Sequence, residues 1–119
     1  MLPKQHKLAT SAEFSRVVKQ GKRKGSKTVV VYVWEHTAEA GLARSGGPRF
    51  GLIVSKAVGN AVARHSISRR LRHICANLTS SMQDRCDVVI RVLPAAANAS
   101  SEELKSDVQR ALQRLNAIT

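Results

Sequence analysis

Between Ala40 and Gln83 the sequence contains no Asp or Glu, although Arg, Lys and His recur throughout that stretch. Without clustered carboxylates this half of the chain offers no cage for a catalytic metal. It also lacks the mixture of signs that a merely solvated surface carries. Cysteine is scarce as well. Cys75 and Cys86 are too few for a disulfide framework, and neither has a Cys-x-x-Cys or Cys-x-x-His partner. They are read as reduced, buried thiols with no metal site. No run approaches the ~20 apolar residues of a spanning helix, and the start lacks the apolar stretch of a signal peptide. The expectation is a soluble, cytoplasmic protein with no membrane partner. Repeats and low-complexity segments are absent too.

What is present is positive charge. Lys and Arg total 20 against eight Asp and Glu in 119 residues, a formal charge of +12 and a sequence pI of about 10.9. Residues 1–83 hold 15 basic and three acidic side chains and carry the whole excess, while residues 84–119 are balanced. A small domain so charged repels itself and favours a polyanionic partner. The 43% hydrophobic fraction suits a single domain over 1–119 with one modest core, and 1–7 reads as a flexible basic tail.

The stretch "TSAEFSRVVKQG" reads as a first helix. Thr10 and Glu13 have capping-box spacing, Phe14, Val17 and Val18 share one face, and Gly21 ends it. "KRKGSK" reads as a basic loop, broken by Gly25 and Ser26. The β-branched and aromatic run "TVVVYVWE", Thr28 to Glu35, is strand, either single or a bent pair. A flexible connection, "TAEAGLARSGGP", leads to a second strand, Arg49 to Ser55. Ile67, Leu71, Ile74 and Leu78 then line one face of a helix over 61–78, about 27 Å long at ~1.5 Å per residue. "CDVVIRVL" from Cys86 is a buried-type strand closed by Pro94. Ser100 with Glu103 caps a last helix carrying Leu104, Val108, Ala111 and Leu115. The fold class expected is α+β, a sandwich of a small sheet with helices in the order α-β-β(-β)-α-β-α.

His65, Arg69, Arg72 and His73 point away from the apolar face of the 61–78 helix, with Arg70 at the border. A solvated helix usually places Glu four residues before its cations, and here none does. Cations clustered in this way repel one another, so an external anion explains them better than solvation does. The planar fork of Arg grips two phosphate oxygens, and its face stacks on bases. Arg64 falls on the apolar side, but in the first turn, where it can project past the end of the core. "KAVGNAV" brings Lys56 and Asn60 to the strand-to-helix connection, whose backbone N–H groups can also receive a phosphate.

The same residues make a poor nuclease. His65 and His73 are eight positions apart on one helix, about 12 Å along its axis. That is too far for a general base and a general acid to share one phosphate. His6 and His36 lie elsewhere in the sequence. No catalytic residue is assigned.

The succession of a basic N-terminus, "FSRVVKQG", a strand with Tyr32, "GLIVSKAVGNAVARHSISRRLRH", "DVVIRV" and a final helix resembles the protein subunit of bacterial ribonuclease P. The likeness runs from about Leu8 to Leu115, and "VSKAVGNAVARxxISRRLR" is its most specific part. It implies an endonuclease holoenzyme in which an RNA subunit frees the 5′ leader from precursor tRNA. The protein assists by binding that RNA and holding the leader. Mg²⁺ is implied for hydrolysis, held mainly by the RNA.

The resemblance further implies a left-handed β-α-β crossover, against the general rule, and two binding surfaces. The first is the arginine helix, where Asn60, Arg64, His65, Ser68, Arg69, Arg70 and Arg72 would meet the RNA subunit. The second is a cleft between the first helix and the sheet, where Phe14, Val18, Tyr32 and Lys56 would hold the leader. Three departures from the family pattern stand out. Arg-Asn-Arg is Arg64-His65-Ser66 here, a later Lys is Ser68, and the second of two aromatics on the first helix is Val18. Two other classes fit the composition. A structural RNA binder, such as a ribosomal protein, has no need of an aromatic groove, and an independent endonuclease would cut precursor tRNA unaided.

Overall fold

The computed structural model describes residues 6–35, 48–82 and 86–118. Their elements are α1 (Ser11–Gln20), β1 (Lys22–Gly25), β2 (Val29–Glu35), β3 (Arg49–Ile53), α2 (Ala61–Leu78), β4 (Cys86–Val92) and α3 (Ser101–Arg114). The strands form one sheet in the order β1-β2-β4-β3. β1 and β4 run antiparallel to β2, whereas β3 runs parallel to β4. A parallel pair needs a crossover, and α2 supplies it. β3, α2 and β4 are thus a β-α-β unit, within the α+β architecture expected.

The period of two in each strand sorts the side chains onto two faces. Val29, Val31, Val33, Phe50, Val88, Ile90 and Val92 share the main core with Ile67, Leu71, Ile74 and Leu78 of α2 and with Leu104, Val108, Ala111 and Leu112 of α3. Fully burying one such aliphatic side chain is worth about 1.5–3 kcal/mol over leaving it exposed. The other face carries a smaller cluster, in which Tyr32 and Val89 meet Leu8 and Val17 beneath α1. One face of the sheet is therefore sealed by two helices, and the other is only partly roofed by one.

The helix signals in the sequence hold. Thr10 and Ser100 are N-caps whose hydroxyls accept from the backbone N–H of Glu13 and Glu103, and both capping boxes close. The Thr28–Glu35 run is one strand, paired along its length with β4. Thr28 itself stands just outside, buried, with its hydroxyl donating to Asp107 Oδ2 at 2.6 Å. β3 ends at Ile53, short of the expected Ser55.

Two expectations are corrected. Lys22–Gly25, expected as a loop, is an edge strand paired with Val30–Val33. All four of its residues are exposed, so no buried alternation marks it in the sequence. The turn is closed by Ser26, whose N–H and hydroxyl both reach the Val29 carbonyl at 2.9 Å. The expected tail also stops short of residue 7. His6 and Lys7 belong to the fold, because Lys7 bridges to Phe50 and His6 Nδ1 lies 2.7 Å from the Pro48 carbonyl. Residues 1–5, His36 and most of the connection before β3 lie outside the described residues.

Candidate nucleic-acid interface

The start of α2 is built by two residues. Gly59 has φ +158°, a backbone setting that side chains rarely adopt, and a Cβ there would stand 3.0 Å from that of Ala63. Asn60 follows as N-cap, its Oδ1 accepting from Ala63 N at 2.9 Å. Its carbonyl oxygen thus serves the helix, leaving the amide for any outside partner. The first turn contains no acidic residue, so nothing there neutralises the positive end of the helix dipole.

Along α2 the buried side chains are Ile67, Leu71, Ile74, Cys75 and Leu78. His65, Arg69 and His73 are exposed, while Arg64, Ser68 and Arg72 are half-buried at the flanks. Val62 is 78% exposed beside His65 and Arg69. Arg70 differs from its neighbours. Its NH1 donates to the Ala99 carbonyl at 3.2 Å, so it ties α2 to the start of α3. Arg64 is drawn partly into the structure, with its Nε buried and without a hydrogen-bond partner. The outward strip is therefore His65, Arg69, Arg72 and His73, with Asn60 and Arg64 at its head.

The opposite face of the sheet brings Phe14, Val18 and Tyr32 into one cluster, with Val30, Trp34 and Ile53 packed around it. Phe14 lies on Gly51, where a Cβ would come within 2.4 Å of the ring. Val18 is half-buried beside it. Tyr32 is only 4% exposed, and the Arg91 guanidinium stands 5.7 Å from its ring centroid. A base stacking on Tyr32 must displace Arg91 or stack on it. Lys56 is exposed in the 3-10 turn Lys56–Val58, which leads from β3 into α2. It follows the end of β3 by three residues.

Sequence reasoning missed two members of this face. Trp34 follows Tyr32 by two residues and so points the same way; its ring is half-buried, with Arg16 4.9 Å from the centroid. Arg91 is the one exposed residue of β4, and a lone cation in the run "DVVIRVL" was the available signal.

A salt-bridged triad sets α1 against the sheet. Arg49 NH1 lies 2.8 Å from Glu13 Oε2, and Arg49 Nε lies 3.5 Å from Oδ1 of the buried Asp87. Burial pushes the Glu13 carboxyl up. The backbone N–H groups of Ala9 and Thr10, the Arg49 guanidinium and the Thr10 hydroxyl outweigh it and hold Glu13 below its ordinary value.

Both cysteines are buried. Burial pushes the Cys75 thiol up to about 12, which keeps it protonated and inert. Among the described residues no group of three or more His, Cys, Asp and Glu side chains is placed to hold a metal ion. No helix among them is long and apolar enough to cross a membrane.

Known proteins share this arrangement. Residues 2–116 match the family model described as Ribonuclease P. The ribonuclease P protein component of Corynebacterium diphtheriae is 53% identical over 116 residues, covering 98% of each chain. That of Rhodococcus opacus is 48% identical over 118 residues, covering 99% of this chain and 94% of the relative. In fold, the chain is similar to the RNase P protein of Staphylococcus aureus, with TM-score 0.82 at 22% identity over 96% of this chain and 98% of that one. The RNase P protein of Thermotoga maritima gives 0.75 at 19%, over 91% and 96%. With the family model spanning nearly every residue and relatives half-identical along their length, the chain belongs to the ribonuclease P protein family.

Proposed function

We propose that this chain binds the RNA subunit of ribonuclease P through the outer strip of α2 and holds the 5′ leader of precursor tRNA against the α1 face of the sheet. The family is that of a subunit of the endonuclease that matures tRNA 5′ ends, an enzyme whose chemistry the RNA carries. One observation supports the role of α2 above others: His65, Arg69 and His73 stand exposed on a helix without a single carboxylate. The protein then contributes electrostatics and positioning and no proton transfer. Mg²⁺ for hydrolysis is assigned to the RNA and the scissile phosphate. The assembled enzyme acts in the cytoplasm.

On the other face, Phe14 is a partly buried ring and Arg91 a cation over Tyr32, a pairing suited to a single strand whose bases stack and whose phosphates need neutralising. The test is to sequence the RNA that copurifies with the native protein and to assay it. One abundant structured RNA that cleaves precursor tRNA is expected. Recovery of ribosomal RNA alone overturns the reading, as does cleavage of precursor tRNA in Mg²⁺ by protein freed of RNA.

A further inference from the structure

Neither surface uses the cations at the far edge of the sheet. β1 is that edge, and α3 packs against it. Lys24 pairs with Val31, so its side chain leaves the sheet on the side of the main core. There Lys24 and Lys27 stand across a recess of about 320 Å³ from Arg110 and Arg114 of α3. All four are exposed.

Among the described residues Asp107 is the only carboxylate lining the recess, and it is already engaged. Its Oδ2 accepts from the Thr28 hydroxyl at 2.6 Å and from the Thr28 N–H at 3.3 Å, while Oδ1 lies 3.7 Å from Arg110 NH2. Lys24, Lys27 and Arg114 form no ion pair with any described residue. Lysines on an edge strand discourage pairing with another chain, which accounts for Lys22 and Lys24. It does not account for Lys27 beyond the strand or for two arginines on a helix. Four cations around a concavity with one committed acid make a site for a polyanion backbone.

We infer that this recess is a second contact for the sugar-phosphate backbone of the RNA subunit. The inference rests on the reading that α2 binds that RNA. The side of the sheet decides between the RNA subunit and the leader. The recess lies on the face covered by α2 and α3, whereas the Phe14–Tyr32 cluster lies on the α1 face. An RNA seated along α2 has the recess on its own side of the protein.

The experiment measures affinity of the full chain for ribonuclease P RNA across a salt series. The recess variant is Lys24→Gln, Lys27→Gln, Arg114→Gln, and Arg69→Gln with Arg72→Gln serves as the α2 reference. The recess variant should bind roughly tenfold to a hundredfold more weakly at ~50 mM salt, and its log–log salt slope should flatten by about two. The charge-keeping variant Lys24→Arg, Lys27→Arg, Arg114→Lys should retain affinity, and a weakened one overturns the inference. An unchanged slope in the recess variant, with a flattened slope in the α2 variant, also overturns it and leaves the α2 reading standing. Unchanged slopes in both variants sink the two together. A recess variant that loses only the preference of the assembled enzyme for long leaders assigns the recess to the leader and overturns the inference as well.

Discussion

The Phe14 ring of α1 rests on the backbone of Gly51 in β3, so closely that a Cβ at 51 would fall 2.4 Å from Cε2 and Cζ. Only glycine lets the ring lie there, and the ring is what forms this wall of the α1 face. Gly51→Ala should therefore force Phe14 outward and cost about 1–3 kcal/mol through overpacking. Urea unfolding checks this, and Phe14→Ala in the same chain should recover part of the stability. Additive effects in the two single variants and the double would show that the two residues are not coupled.

Leader binding should follow the same ring. Stacking on one aromatic is worth ~1–3 kcal/mol per base. Phe14→Ala should therefore shrink the preference of the assembled enzyme for precursor tRNA with a long leader, and Val18→Phe should enlarge it. Because Tyr32 is covered by Arg91, Arg91→Ala should alter that preference as much as Tyr32→Ala does. Equal affinity for substrates with and without a leader, in the unmutated enzyme, returns Phe14 to a purely structural role.

For α2, replacing Arg64, Arg69 and Arg72 by Ala should weaken binding of the RNA subunit. The salt slope should flatten by ~0.7–0.9 for each phosphate that the protein no longer neutralises. Ile67→Ala and Leu71→Ala serve as controls, since both side chains are fully buried and truncating either should cost about 2–5 kcal/mol of stability. Changing His65 and His73 to Gln should leave the single-turnover chemical step at saturation nearly untouched. A thousandfold drop with assembly intact would expose an acid/base pair in the helix.

Much of the fold is legible in the sequence because local signals agree with the tertiary answer. Both capping boxes, the four-residue apolar spacing of α2 and the alternation of β2 are written in short windows of sequence. β1 is not legible, because Lys22–Gly25 is exposed at every position and owes its strand to β2 alongside it. On the helical wheel Arg70 stands at the border of the apolar face, which leaves its direction open. Only the approach of Ala99, 29 residues later in the chain, takes its guanidinium inward. Tyr32 lies in the cluster beneath α1, and its cover, Arg91, comes from a strand that sequence spacing cannot align with it.

Cys75 should resist alkylation in the native state. Its thiol is pushed up to about 12 by burial, so the reactive thiolate is rare at neutral pH. Iodoacetamide is expected to modify Cys75 only through unfolding, at a rate that rises with urea. Rapid labelling in buffer would show that α2 opens locally.

Glu13 gives the fold an acid limit on its first helix. It closes the Thr10 capping box and pairs with Arg49, and its pKa is held below the ordinary value of 4.5. A carboxyl depressed in the folded state stabilises at pH above its unfolded value, and that stability is lost as pH falls through the folded one. Glu13→Gln should thus cost about 1–2 kcal/mol at pH 7. The gap between the variant and the unmutated protein should narrow below pH ~4.5 and close once Glu13 is protonated in the folded state. Unfolding curves at a series of pH values decide it. A gap that stays constant down to pH ~2 would mean that the variant loses shape complementarity alone, and that the charge of Glu13 does nothing to hold α1 over the sheet.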